Sequence, residues 1–199
     1  MGVYLTTLLA MLKGPGTYFK ALAGLSDRES LGGDDRPGNW ADGKTDHQAK
    51  WLTVKKSLGF LAVSCVISTM AALATNDPIN PLKEGAVYFL NSMGMALVAA
   101  GFGFMIMTMF MKKKVPFAHF LSIYALAWGT TVLVAWIPWA VWMAEPWKWW
   151  LIGTGLTAGL GFKTRHAVAL LVSSIVVMII FFSTMLPAVN YFKAAVAAL

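Results

Sequence analysis

An all-α integral membrane bundle is the fold this sequence predicts, and three features predict it. Apolar runs recur along the chain, most of them long enough to cross a bilayer. Charged residues are 13% of the total, against about a quarter in soluble domains, and they bunch between those runs. Tryptophans gather where two of the runs meet. With 58% apolar residues and a mean hydropathy of +0.64 over 199 residues, a water-soluble fold could not hide so much apolar surface, so lipid is part of the solvent.

Residues 2–25 form the first unit. Tyr4, Leu5, Leu8, Leu9, Met11 and Leu12 recur at near-helical spacing and Lys13 ends the run. About ten residues cannot span a bilayer. Beyond Gly14-Pro15-Gly16, Tyr18, Phe19, Leu22 and Leu25 make a second short apolar pattern. Two amphipathic helices lying in the membrane interface are expected. No positive residue precedes Val3 and no small-x-small site follows, so the start does not read as a signal peptide.

Residues 26–50 carry Asp27, Arg28, Glu29, Asp34, Asp35, Arg36, Asp42, Lys44, Asp46 and Lys50 with Gly32-Gly33 and Pro37-Gly38, which predicts a water-exposed loop. The chain thus divides into 1–56, interfacial helices and loop, and 57–199, a domain of five transmembrane helices. Ser57 to Thr75 is the first span, closed by Asn76-Asp77-Pro78. Gly85 to Met111 is the second, stopped by Lys112-Lys113-Lys114. Phe117 to Met143 is the third, with Glu145-Pro146 as its turn. Trp147 to Phe162 is a short fourth span, and Ala167 to Met185 the fifth, with Pro187 marking its end.

Charge sets the orientation. With a cytoplasmic N-terminus, the cytoplasmic side carries Lys44, Lys50, Lys55, Lys56, Lys112, Lys113, Lys114, Lys163 and Arg165, and the other side only Lys83, Lys148 and Lys193. Five crossings then put Leu199 outside. Trp136, Trp139, Trp142, Trp147, Trp149 and Trp150 form an aromatic belt at the outer end of spans three and four, where indoles sit at headgroup level. The formal charge of +7 follows from this topology, and no basic stripe with interleaved aromatics points to nucleic acid.

No Asp, Glu, Lys or Arg falls in the middle of a predicted span, which argues against proton-coupled transport and intramembrane acid–base chemistry. His119 and His166 open spans three and five at one boundary. They are the candidates for haem or metal ligation, set against two interfacial histidines bonding headgroups or carbonyls, and no third ligand accompanies them. The methionines of span two, Met105, Met107, Met109 and Met111 among them, wind around the helix and so do not form a copper face. Cys65 has no internal disulfide partner. No serine has a base placed beside it, and no glycine-rich loop forms a nucleotide fingerprint. No cofactor and no catalytic residue are therefore expected.

Small residues are frequent in the spans, led by Gly94, Gly101 and Gly103 in the second and Gly153, Gly155 and Gly159 in the fourth. They let helix backbones approach closely, within this bundle or against a partner. Expected partners are the lipid bilayer and other integral membrane proteins or a second copy. The favoured function is a non-catalytic scaffold or accessory subunit. A small-solute transporter or channel, and a cofactor- or pigment-associated subunit of an energy-converting complex, are the alternatives.

The order Val115-Pro116-Phe117-Ala118-His119-Phe120, Tyr124-Ala125-Leu126-Ala127, Trp136-Ile137-Pro138, Gly153-Thr154-Gly155-Leu156 and Ala167-Val168-Ala169 resembles the Yip-domain family (Ypt-interacting proteins), in its bacterial form. The opening around Pro15, Tyr18 and Phe19 is similar too. The resemblance implies five spans, a cytoplasmic N-terminus and, in bacteria, the inner membrane. The acidic Tyr-Gly-Pro motif of eukaryotic members is absent, so no Rab-related role is implied.

Overall fold

The structure, a computed structural model, describes residues 2–22, 43–76, 79–110, 115–137 and 139–197. The loop from 26 to 42, the Lys112–Lys114 stop, Pro138 and Leu199 lie outside the described residues. Seven helices make up the described part: α1 (Gly2–Lys13), α2 (15–22), α3 (Gly43–Asn76), α4 (Pro81–Phe110), α5 (Phe117–Ala135), α6 (Val141–Leu160) and α7 (Thr164–Ala197).

Four of these are long and apolar enough to cross a membrane: Val54–Asn76 within α3, all of α4, all of α5, and Thr164–Met185 within α7. The expected count of five is corrected to four. The difference is α6. It has the length of a span, but Glu145, Pro146, Lys148 and its tryptophans dilute the hydropathy that lipid alone would require. The placement of Leu199 outside rested on five crossings, and four apolar spans do not support it.

The helix boundaries correct the sequence reading in three further places. Between Lys44 and Leu58 there is no Gly or Pro, so α3 starts at Gly43, inside the stretch expected to be loop. Glu145-Pro146 is no turn. The chain turns at Trp136–Ala140, held by Ile137 N–H to Val134 O at 3.1 Å and Ala140 N–H to Ile137 O at 3.0 Å. Pro146 sits close to the start of α6, where it forfeits a single backbone bond, to the carbonyl of Trp142. Pro187 likewise lies within α7 rather than ending it.

Caps fix the other ends. Asn80 Oδ1 accepts the Lys83 N–H at 3.3 Å, with Pro81 at the first helical position of α4. Gly161, at φ 63°, takes the left-handed conformation that ends α6, and its N–H returns to the Leu156 carbonyl.

The bundle is built around α5, whose residues 120 to 132 are all buried. α3, α4 and α6 pack against it, and α7 packs on α4 and α6. Gly129 lets α3 approach: a Cβ there would lie 2.9 Å from the Phe60 ring and 3.3 Å from the Leu61 Cα. Phe104 meets Phe117 and Phe120 at ring separations of 5.0 and 5.9 Å, joining α4 to α5. Phe102 against Phe181, at 5.1 Å, joins α4 to α7.

The opening helices pack into the bundle rather than standing apart from it. Met11 and Phe19 are fully buried in the bundle core. The Tyr4 ring stacks on Phe60 at 4.9 Å and its hydroxyl hydrogen-bonds Ser64 at 3.0 Å. Ser64 is near the middle of the Val54–Asn76 span, so α1 reaches the mid-height of the bundle. Leu5, Leu9 and Leu12, on its other side, remain exposed. Tyr4→Phe is expected to cost about 0.6 kcal/mol, the mean for interhelical bonds in lipid, read as a small drop in thermal midpoint in detergent.

Candidate functional site: a buried ion pair between two helices

Lys148 is the residue whose position departs furthest from its sequence reading. Taken from the sequence as an outer interfacial lysine, it is buried, with its side chain 7% exposed. The cause is the register of α6 on α5. Gly155 packs against Ile123 near the start of α5, so α6 runs back along α5 and carries Lys148 to the level of Trp128. Trp128 is itself past the midpoint of that span.

Three groups receive the ammonium. Lys148 Nζ donates to Glu145 Oε1 at 2.6 Å, one turn away on the same helix. It lies 4.0 Å from the centre of the Trp128 ring and 5.7 Å from that of Trp149. Glu145 is 54% exposed, so the pair is lopsided: the cation is inside and the anion faces outward. Burying a lysine ammonium costs several kcal/mol unless it is paired. A desolvated cation–π contact returns about 2 kcal/mol, and the ion pair neutralises the net charge.

This cluster is an ionisable pair buried against the central helix, in a helix the sequence places among the apolar runs. The signal was available only in part. Glu145 and Lys148 stand three apart, a helical pair once a helix is assumed. Nothing local indicated that Trp128, twenty residues upstream, would cover the amine.

The other polar groups of the core are differently arranged. On α5, Ser122, Thr130 and Thr131 donate to the carbonyls of Ala118, Leu126 and Ala127 at 2.9, 2.8 and 3.1 Å. Tyr124 Oη and Ser174 Oγ, on α5 and α7, are buried and make no hydrogen bond of good geometry.

His119 is half-buried at the start of α5 and His166 is exposed at the start of α7, both at one end of the bundle. Among the described residues no three His, Cys, Asp or Glu side chains come together as a metal site. Of the six flagged glycines, Gly103 and Gly155 face the closest neighbours: Tyr124 and Phe120 for the first, Ile123 and Phe19 for the second. A Cβ on Gly153 would meet Leu171 at 3.3 Å, and one on Gly159 would make ordinary contact with Phe19. Gly94 and Gly101 have nothing within 4 Å. Gly129, the closest approach of α3 and α5, was not flagged, although Ala125 and Gly129 stand four apart. Trp136, Trp139, Trp142 and Trp150 are exposed around the α5–α6 turn, Trp139 to 86%, while Trp147 and Trp149 are half-buried.

Comparison with protein-family models, curated proteins and solved structures finds no match.

Proposed function

We propose that this chain is a non-catalytic integral membrane scaffold or accessory subunit, set in the bacterial inner membrane with a cytoplasmic N-terminus. The observation that carries this is the filled axis of the bundle. α5 occupies it, buried along residues 120 to 132, with its serine and threonine hydroxyls returned to its own carbonyls. The centre is therefore packed helix rather than a polar path. The outer faces are apolar, on α7 above all, where Val168, Val172, Val176, Ile179 and Ile180 are exposed. A partner helix can pack there in place of lipid. The Yip-domain resemblance bears on the membrane fold and not on the role.

Gentle solubilisation of native membrane should yield the chain in a complex well above 21.6 kDa, with its partners identified by mass spectrometry. A lone monomer would sink the proposal.

A second reading, solute transport, draws on the Lys148–Glu145 pair, because ionisable groups at membrane depth commonly handle ions or protons. It requires flux in proteoliposomes that Lys148→Met abolishes.

A further inference from the structure

We propose that α6 is a conditionally embedded helix, whose first half stays against α5 only while Lys148 is bound by Glu145 and covered by Trp128.

The two halves of α6 are held in different ways. The second half is apolar and pinned from two sides. Ile123 packs on Gly155, Phe19 of α2 sits over Gly155 and Gly159, and Gly16 faces Thr154. Leu151, Ile152 and Leu156 are buried in the same core. This half would stay in place whatever the state of the pair.

The first half, 141 to 150, is held more loosely, with Trp147 and Trp149 half-buried against the core. Trp142, Met143, Glu145, Pro146 and Trp150 are exposed, and Ala144 and Lys148 are its buried residues. Its length of helix is not apolar enough to be kept among hydrocarbon chains by hydropathy. Pro146 has also removed one of its backbone bonds. Beside those two indoles, its polar hold on α5 is the Lys148 side chain, reaching under Trp128 at 4.0 Å while bound to Glu145 at 2.6 Å.

A cation at this depth is tolerated only with both partners in place. Removing Glu145 leaves an uncompensated charge, and removing Trp128 takes away the ring that covers the amine; in both cases the cheapest relief is to move outward to water. Because Glu145 already faces outward, it marks the direction of release. The device is therefore a latch on one half of a helix, with the other half as its fixed end. It stands on the α5–α6 geometry and does not depend on the scaffold reading.

The test is hydrogen–deuterium exchange with peptide-level mass spectrometry, on the full chain in lipid nanodiscs. Trp128→Leu and Glu145→Gln should each raise exchange of the 141–150 amides at least tenfold, leaving the 151–160 and α3 amides as in the parent. Lys148→Met removes the charge and should slow 141–150 exchange below the parent. Combined with Trp128→Leu, it should restore protection. Unchanged exchange at 141–150 in the single variants overturns the proposal. So does loss of protection across the whole bundle, or a double variant that stays as open as Trp128→Leu alone.

Discussion

Gly129→Val should destabilise the bundle by about 3 kcal/mol, the upper end of the usual cost of overpacking. At Gly129 the new atoms meet α3 on two fronts. The Phe60 ring lies 2.9 Å from the position of a Cβ, and the Leu61 Cα lies 3.3 Å away. A ring can rotate aside, although Phe60 is also stacked against Tyr4. A backbone atom moves only if its helix moves. α3 must therefore withdraw along its contact with the helix at the centre of the bundle. Cys65, the chain's single cysteine, is fully buried on α3, so its reaction with a maleimide reports that withdrawal directly. In the parent it should label slowly, and in Gly129→Val readily. Gly94→Val is the control: with nothing within 4 Å of its Cβ, it should stay within about 0.5 kcal/mol of the parent. Adding Phe60→Ala to Gly129→Val should recover only part of the loss, because the Leu61 contact persists. Equal behaviour of the two valine variants would show that α3 and α5 do not approach through Gly129.

What was legible in the sequence follows from what lipid enforces. α3, α4, α5 and α7 announced themselves because a helix at membrane depth, against lipid or inside the bundle, seldom carries charge, and that constraint acts on each segment separately. α6 escaped because it obeys a different constraint. Its Glu145, Pro146 and Lys148 read as a turn and an interfacial lysine under local rules. Their tolerance depends on Trp128, which reaches them only through the antiparallel register of two helices. The same limit explains the N-terminal helices. Their amphipathic spacing was visible, but the Tyr4–Ser64 bond and the seat of Phe19 over Gly155 are tertiary facts. They seat this segment against the core. The glycines show the point from the other side. Spacing flagged Gly94 and Gly103 alike, and only packing reveals that one faces open space and the other a tyrosine hydroxyl.

That hydroxyl sets up the second large effect. Gly103→Ala should cost about 2 kcal/mol, and Tyr124→Phe should return most of it. A Cβ on Gly103 would stand 2.5 Å from Tyr124 Oη and 3.1 Å from two atoms of the Phe120 ring. The severest clash is thus with the one atom that phenylalanine lacks. Tyr124 is fully buried, and its ring is stacked on Phe120 at 4.9 Å, so it has little room to retreat. By itself Tyr124→Phe should be neutral or stabilising by up to about 1 kcal/mol, because a buried hydroxyl without a well-formed bond gives up little when removed. Ser174 then satisfies itself on a carbonyl of its own helix, as Thr130 and Thr131 do on α5. The two changes must be strongly non-additive, with the double variant close to the parent in thermal midpoint and in Cys65 labelling. Simple additivity would mean that Phe120, not the tyrosine oxygen, limits the approach of α4. In that case Phe120→Leu, rather than Tyr124→Phe, would rescue Gly103→Ala, and α4 would owe its seat on α5 to the aromatic ladder of Phe104, Phe117 and Phe120.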